Sequence, residues 1–228
     1  FVTFFYGFNP RIPKALINEF IPQGSATHPD LVEIIVLENG NIAGLTIYEG
    51  TKENWSDKCI MPSVEVQAGD FLLIHFKPEG KKEEINETES RAASEGIDSS
   101  ETAWDFWVEG GNGLSGNNGV ISLYRNPLGE MIDGVLYSNR TSSSDEKYRG
   151  FGTKNVMQRA DALGNAEQWI TEGDLIAPED GLNPDPSTST RSLCRDSRAS
   201  DTNTKADWHI VPTKGATFGG ENSEDVFE

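Results

Sequence analysis

The stretch from Gly119 to Tyr137, GVISLYRNPLGEMIDGVLY, restricts the fold more than any other part of this chain. It follows a polar, Gly-rich approach that ends at Asn117-Asn118. Val120 to Arg125 and much of Met131 to Tyr137 are β-branched or aromatic, the residue types that fit a pleated, half-buried surface. Between them, Asn126-Pro127-Leu128-Gly129 carries turn chemistry: Pro presets φ and Gly accepts positive φ. The stretch reads as a β-hairpin. Either alternate set of its first strand (Val120, Ser122, Tyr124 or Ile121, Leu123) could face a core, and the serine favours Ile121 and Leu123 inward. A hairpin this apolar is marginal alone in water, so the chain must cover it with a second sheet or a helix.

The rest of the chain supplies more strands. Ala15 to Pro22 reads as one, closed by its proline, and Leu31 to Leu37 is apolar enough to be central. Asn39-Gly40 is a hairpin signal leading into Ile42 to Tyr48. Gly50 to Lys58 reads as loop, Val64 to Val66 as an edge strand, Phe71 to Phe76 as a strong strand, and Ala206 to Val211 as the last one. The aromatic run Phe1 to Phe8 is read as a first strand or a packed remnant. Val156, Met157, Ala160 and Leu163 have helical spacing, with Gly164 able to end a short helix there. The expectation is an all-β fold, an immunoglobulin-like β-sandwich, with 1–14 as an extension, 15–215 as the domain and 216–228 as a flexible, fraying tail.

One stretch departs in character. Residues 79–109 hold ten acidic side chains against three basic ones and few apolar residues before Trp104. They read as a long acidic insertion that re-enters the sheet near Trp104. The whole chain carries a formal charge of −18 over 228 residues, which argues against nucleic acid and anionic membrane as partners. No stretch is long and apolar enough for a membrane span. Opening on Phe1 rather than Met leaves room for a removed leading segment with an export signal or a lipid or surface anchor.

Few residues offer chemistry. Cys59 and Cys194 are too far apart in sequence for a metal knuckle; whether they pair is open. His28, His75 and His209 are too scattered for a zinc site. A Cys59 nucleophile with His75 or His209 is outweighed by an inert buried thiol. Asp133, beside Gly134 on a strand, is a candidate catalytic carboxylate, but a side chain accepting backbone N–H bonds is the better reading. Asp201, Asn203 and Asp207 place several oxygens close together; they are the candidate metal ligands, with calcium as the cation, weighed against a turn held by its own Asx hydrogen bonds. Trp104 and Trp107 beside acidic residues are the candidate ligand-binding pair, suited to a sugar or a basic peptide. Alternation puts Trp104 and Phe106 on one face and Asp105 and Trp107 on the other.

The order of motifs resembles the lamin tail domain family. The similarity begins at Leu16-Ile17-Asn18-Glu19-Phe20 and continues through Leu31-Val32-Glu33-Ile34, Ile42 to Ile47 and Ala68 to Ile74. It includes Gly129 to Tyr137, similar to the family's G-x-x-x-D-x-V-x-Y strand. It closes with Thr190 to Arg195 and then Asp201 to Asn203 and Ala206-Asp207-Trp208. Leu45 stands where the family has Trp, and the closing turn is Pro212-Thr213-Lys214-Gly215. The resemblance implies an immunoglobulin-like sandwich acting as a non-catalytic binding or scaffolding module, exported to the periplasm or cell surface, with a protein or glycan as its partner and no cofactor. A cation-dependent, adhesin-like carbohydrate binder is the alternative, and a hydrolase using Asp133 a third.

Overall fold

The computed structural model describes residues 9–228, so the aromatic run 1–8 lies outside the described residues. The strands are β1 (Ala15–Ile21), β2 (Leu31–Val36), β3 (Gly40–Asn41), β4 (Thr46–Thr51), β5 (Asn54–Ile60), β6 (Glu65–Val66), β7 (Phe71–His75), β8 (Trp104–Trp107), β9 (Asn118–Tyr124), β10 (Met131–Ser138), β11 (Leu193–Arg195) and β12 (Trp208–Ile210). One α-helix, α1, covers Lys154–Asn165. Six strands form one sheet in the order β12-β11-β1-β2-β7-β8, four form a second in the order β10-β9-β4-β5, and β3 pairs with β6. The fold is an all-β sandwich.

The hairpin forms as its sequence requires. β9 and β10 pair antiparallel, with Leu123 opposite Asp133 and Ile121 opposite Val135. At the turn, Gly129 N–H donates to the Asn126 carbonyl at 2.9 Å. Ile121 and Leu123 point into the sandwich, because Asp133, the partner of Leu123 on the same face, reaches the backbone of β1. Tyr137, on the same side, has its ring centroid 5.4 Å from that of Phe20 on β1. The opposite side is buried too. A Cβ added to Gly134 would sit 2.3 Å from Leu163 Cδ2, so α1 rests directly on this strand. Thr153 caps the helix by accepting from Val156 N–H, and Ala160 and Leu163 are its buried apolar residues. A leucine side chain such as Leu163 contributes about 1.5–3 kcal/mol when taken wholly out of water. Gly164 lies inside the helix, which ends at Asn165.

Three segments differ from the sequence expectation. Strand β5 occupies most of the stretch read as the loop Gly50 to Lys58, and β4 starts at Thr46 rather than Ile42. The β5 sequence NWSDKCI has one half-solvated face and lies at the sheet edge, so its polarity masks it. The insertion re-enters the sheet at Trp104, as its sequence suggests, and serves as a crossover: β8 joins β7 in parallel, and parallel neighbours need a connection of a dozen or more residues. The tail read as fraying is instead a strap. From Thr217 to Glu224 it bonds to residues of β1, β2 and the segment after β11.

Candidate functional site

Two groups of buried ionisable residues flank the six-stranded sheet. The first lies between the sheets. Asp133 enters from β10 and is fully buried. Its Oδ2 accepts Ile17 N–H at 2.6 Å and its Oδ1 accepts Gly134 N–H at 2.8 Å. Arg195, from β11, donates to both oxygens at 3.1 and 3.3 Å, and its Nε donates to the Ile17 carbonyl at 2.7 Å. A bulge between Ile17 and Glu19 frees the Ile17 groups from the ladder, which lets a side chain from the other sheet take them. Burial outweighs the nearby guanidinium and pushes the Asp133 carboxyl up to about 6. The bridge ties β1, β10 and β11 together.

The second group lies on the outer face of the same sheet, beneath the strap. Glu19 and Glu33 are partners across β1 and β2, and both are fully buried. Glu19 accepts from the Ser192 hydroxyl and from Thr217 N–H and Oγ1, the latter two at 2.9 Å. Glu33 accepts from Asn18 Nδ2 at 2.7 Å and from Gly219 N–H at 2.6 Å. Asn222 then donates to the Asn18 side chain and to the Arg195 carbonyl. Burial raises the Glu19 carboxyl, and burial together with the charge of Glu19 raises Glu33 well above the ordinary range. These two acids have hydrogen-bond donors but no cation, the difference from Asp133.

Beside them, Cys194 Sγ lies 3.5 Å from His209 Nε2. That nitrogen also lies 2.8 Å from the Ser223 carbonyl, which can only accept, so its proton is committed there. The imidazole therefore does not draw the thiol proton, and burial with the charges of Glu19, Glu33 and Glu224 pushes the thiol up. Cys59 is buried as well and pushed up to about 12 by burial. Both cysteines are free, which settles the pairing that the sequence leaves open.

The insertion seals the rest of the outer face. His75 Nε2 lies 2.7 Å from Asp105 Oδ1, and Glu87 accepts from the backbone of Ala93, Ser94 and Asp105. Here Trp107 is a packing residue, not a surface one. Its ring stacks on His75 at 3.7 Å between centroids and its indole N–H donates to Ser94 Oγ. Trp104 lies on the opposite face, as alternation requires, packed against the sandwich core with the Arg91 guanidinium over its ring. The two rings thus do not form a shared binding surface.

The candidate metal ligands are also engaged elsewhere. Asp201 Oδ1 lies 3.3 Å and Asp207 Oδ2 3.6 Å from Arg195 Nη1. Asp207 accepts from Thr202 N–H and Oγ1, the turn chemistry weighed in the sequence. Asn203 has φ of 56° and donates to the Glu167 carbonyl. A guanidinium stands where a calcium ion would, and among the described residues no three His, Cys, Asp or Glu side chains converge on a cation position.

The residues that sequence reasoning missed are Glu19, Glu33, His28 and Asp98. His28 Nδ1 lies 3.0 Å from Asp98 Oδ1, joining the loop before β2 to the insertion, seventy residues apart. The signal available for Glu19 and Glu33 was a charged residue inside each of two apolar strands.

A family model described as TP_1001_2nd, protein second domain, matches residues 13–210. An uncharacterized protein of Treponema pallidum (strain Nichols) is 27% identical over 140 residues, 61% of this chain and 35% of that protein. The chain therefore spans about a third of the length of the curated relative it matches.

Proposed function

Because the chain belongs to this second-domain family, we propose that it is a non-catalytic binding or scaffolding module of lamin-tail type within a longer protein, exported and working in the periplasm or at the cell surface. The observation that carries the reading is the Asp133–Arg195 bridge. The carboxylate a hydrolase would need free has both oxygens committed to backbone N–H groups and a guanidinium. It sits on the Gly129 to Tyr137 strand that resembles the lamin tail pattern, and its work there is to join two sheets. The export assignment rests on the same resemblance. Its partner is a protein or a glycan. The acidic surface and the net charge of −18 argue against nucleic acid, and no helix among the described residues is long and apolar enough to cross a membrane.

The test is a broad screen for hydrolysis of esters, phosphoesters, glycosides and peptides by the purified chain, run beside a glycan and peptide binding array. The expected result is saturable binding without turnover. Turnover that scales with enzyme and is lost in Asp133→Asn, with the variant still melting cooperatively, would overturn the reading. Protease treatment of cells tests the location separately: protection that persists after the outer envelope is opened and is lost only on full lysis would contradict export.

A further inference from the structure

We propose that the cleft between the acidic insertion and the C-terminal strap binds a neutral saccharide of about disaccharide size; this rests on the binding-module reading and assigns it a site. The cleft has a volume of about 500 Å³, within the range of small-molecule sites. Four separate parts of the chain wall it: His28 before β2, Asp98 in the insertion, Ser189 before β11 and Phe218 in the strap.

The chemistry of the walls selects the ligand class. Asp98 can only accept, so the proton between it and His28 rests on Nδ1. That leaves His28 Nε2, on the far side of the ring, without a protein partner among the described residues. Asp98 has φ of 62° and is the third residue of the turn closed by Ser99 N–H donating to the Gly96 carbonyl, so the turn fixes where its carboxylate stands. Ser189 adds a hydroxyl that both donates and accepts, and Lys214 adds a donor. Phe218, half-buried, supplies an apolar wall of the kind that takes the C–H face of a sugar ring. Asp98 and Lys214 balance, so the cleft offers mixed donors and acceptors with no net charge. An anion would meet Asp98 and the field of a chain at −18. A neutral polyol can donate to Asp98 and accept from Lys214 without meeting a like charge.

The test is a titration of the ¹⁵N-labelled chain with maltose, lactose and N,N′-diacetylchitobiose. At least one is expected to shift the amides of His28, Asp98, Ser189 and Phe218 saturably. The side chains changed are solvent-accessible, so His28→Ala and Ser189→Trp should each melt as the parent does while weakening binding about tenfold or more. No shift with any of the three, or binding that stays within roughly twofold of the parent in both variants, overturns the proposal. Shifts that map elsewhere overturn the cleft and leave the binding-module reading intact. Release of monosaccharide keeps the cleft as a sugar site and overturns the non-catalytic reading.

Discussion

Asp133 inside the sandwich and Glu33 on its outer face are both fully buried carboxylates, yet they are stabilised in different ways. Asp133 has a guanidinium and two backbone N–H groups. Glu33 has an amide and one backbone N–H, with Glu19 as its neighbour instead of a cation. The first arrangement offsets part of the cost of burying the charge and fastens two sheets. The second holds a strap of chain against one sheet and favours the neutral acid. The contrast predicts that the interior bridge governs global stability, while the outer pair joins Asp133 in setting its pH dependence.

Removing the cation should have the largest effect. Arg195→Leu leaves Asp133 buried without its counter-charge and abandons the Ile17 carbonyl, so a loss of about 3–5 kcal/mol in denaturant unfolding is expected. A loss below about 1 kcal/mol would mean that Asp133 simply protonates and that the two regions do not differ.

The pH dependence comes next. Asp133, Glu19 and Glu33 have carboxyls raised in the folded chain. Between the ordinary carboxylate range and the raised values, the folded chain holds protons that the unfolded chain has released. Stability must therefore fall as pH rises through that window and level off above it, by up to about 1.4 kcal/mol per pH unit for each group. For Asp133 the window closes near 6. Urea unfolding from pH 5 to pH 8 should show the fall, and Glu33→Gln should flatten it. Stability that climbs toward neutral pH would contradict the assignment.

A smaller change probes the strap alone. Thr217→Val deletes the hydroxyl that donates to Glu19 at 2.9 Å, for about 1 kcal/mol. Amide exchange at Gly219 should quicken before that of Ile121, because the strap opens while the hairpin stays shut.

The sequence exposes these two regions unequally. The hairpin was legible because its apolar residues and turn are local, and Asp133 could be read as structural from its place on a strand beside Gly134. The helix was legible from the spacing of Val156 to Leu163. The outer region was not legible. Its bonds join residues about two hundred positions apart, such as Asn18 with Asn222 and Glu19 with Thr217, and a Gly-rich acidic tail gives no local sign of docking. Trp107 misled for the same reason: the insertion that covers its ring reads as solvated chain. Strand β5 escaped because an edge strand takes its register from its neighbour, here through the bulge at Glu49 and Gly50, and not from its own pattern.

Calcium sets the smallest expected effect and sharpens the comparison from the other side. Asp201 and Asp207 belong to the interior region through Arg195, where the positive charge is already supplied by the chain. A cation entering there would meet the guanidinium, and its ligands would first have to leave Thr202 and Arg195. A true site held at a hundred times its Kd would add about 2.7 kcal/mol and raise the melting temperature visibly. Thermal melts with calcium and with chelator should instead superimpose. If calcium raises the melting point of the parent but not of Asp207→Asn, the guanidinium is a displaceable occupant and the interior region is a cation site that the chain fills in its absence.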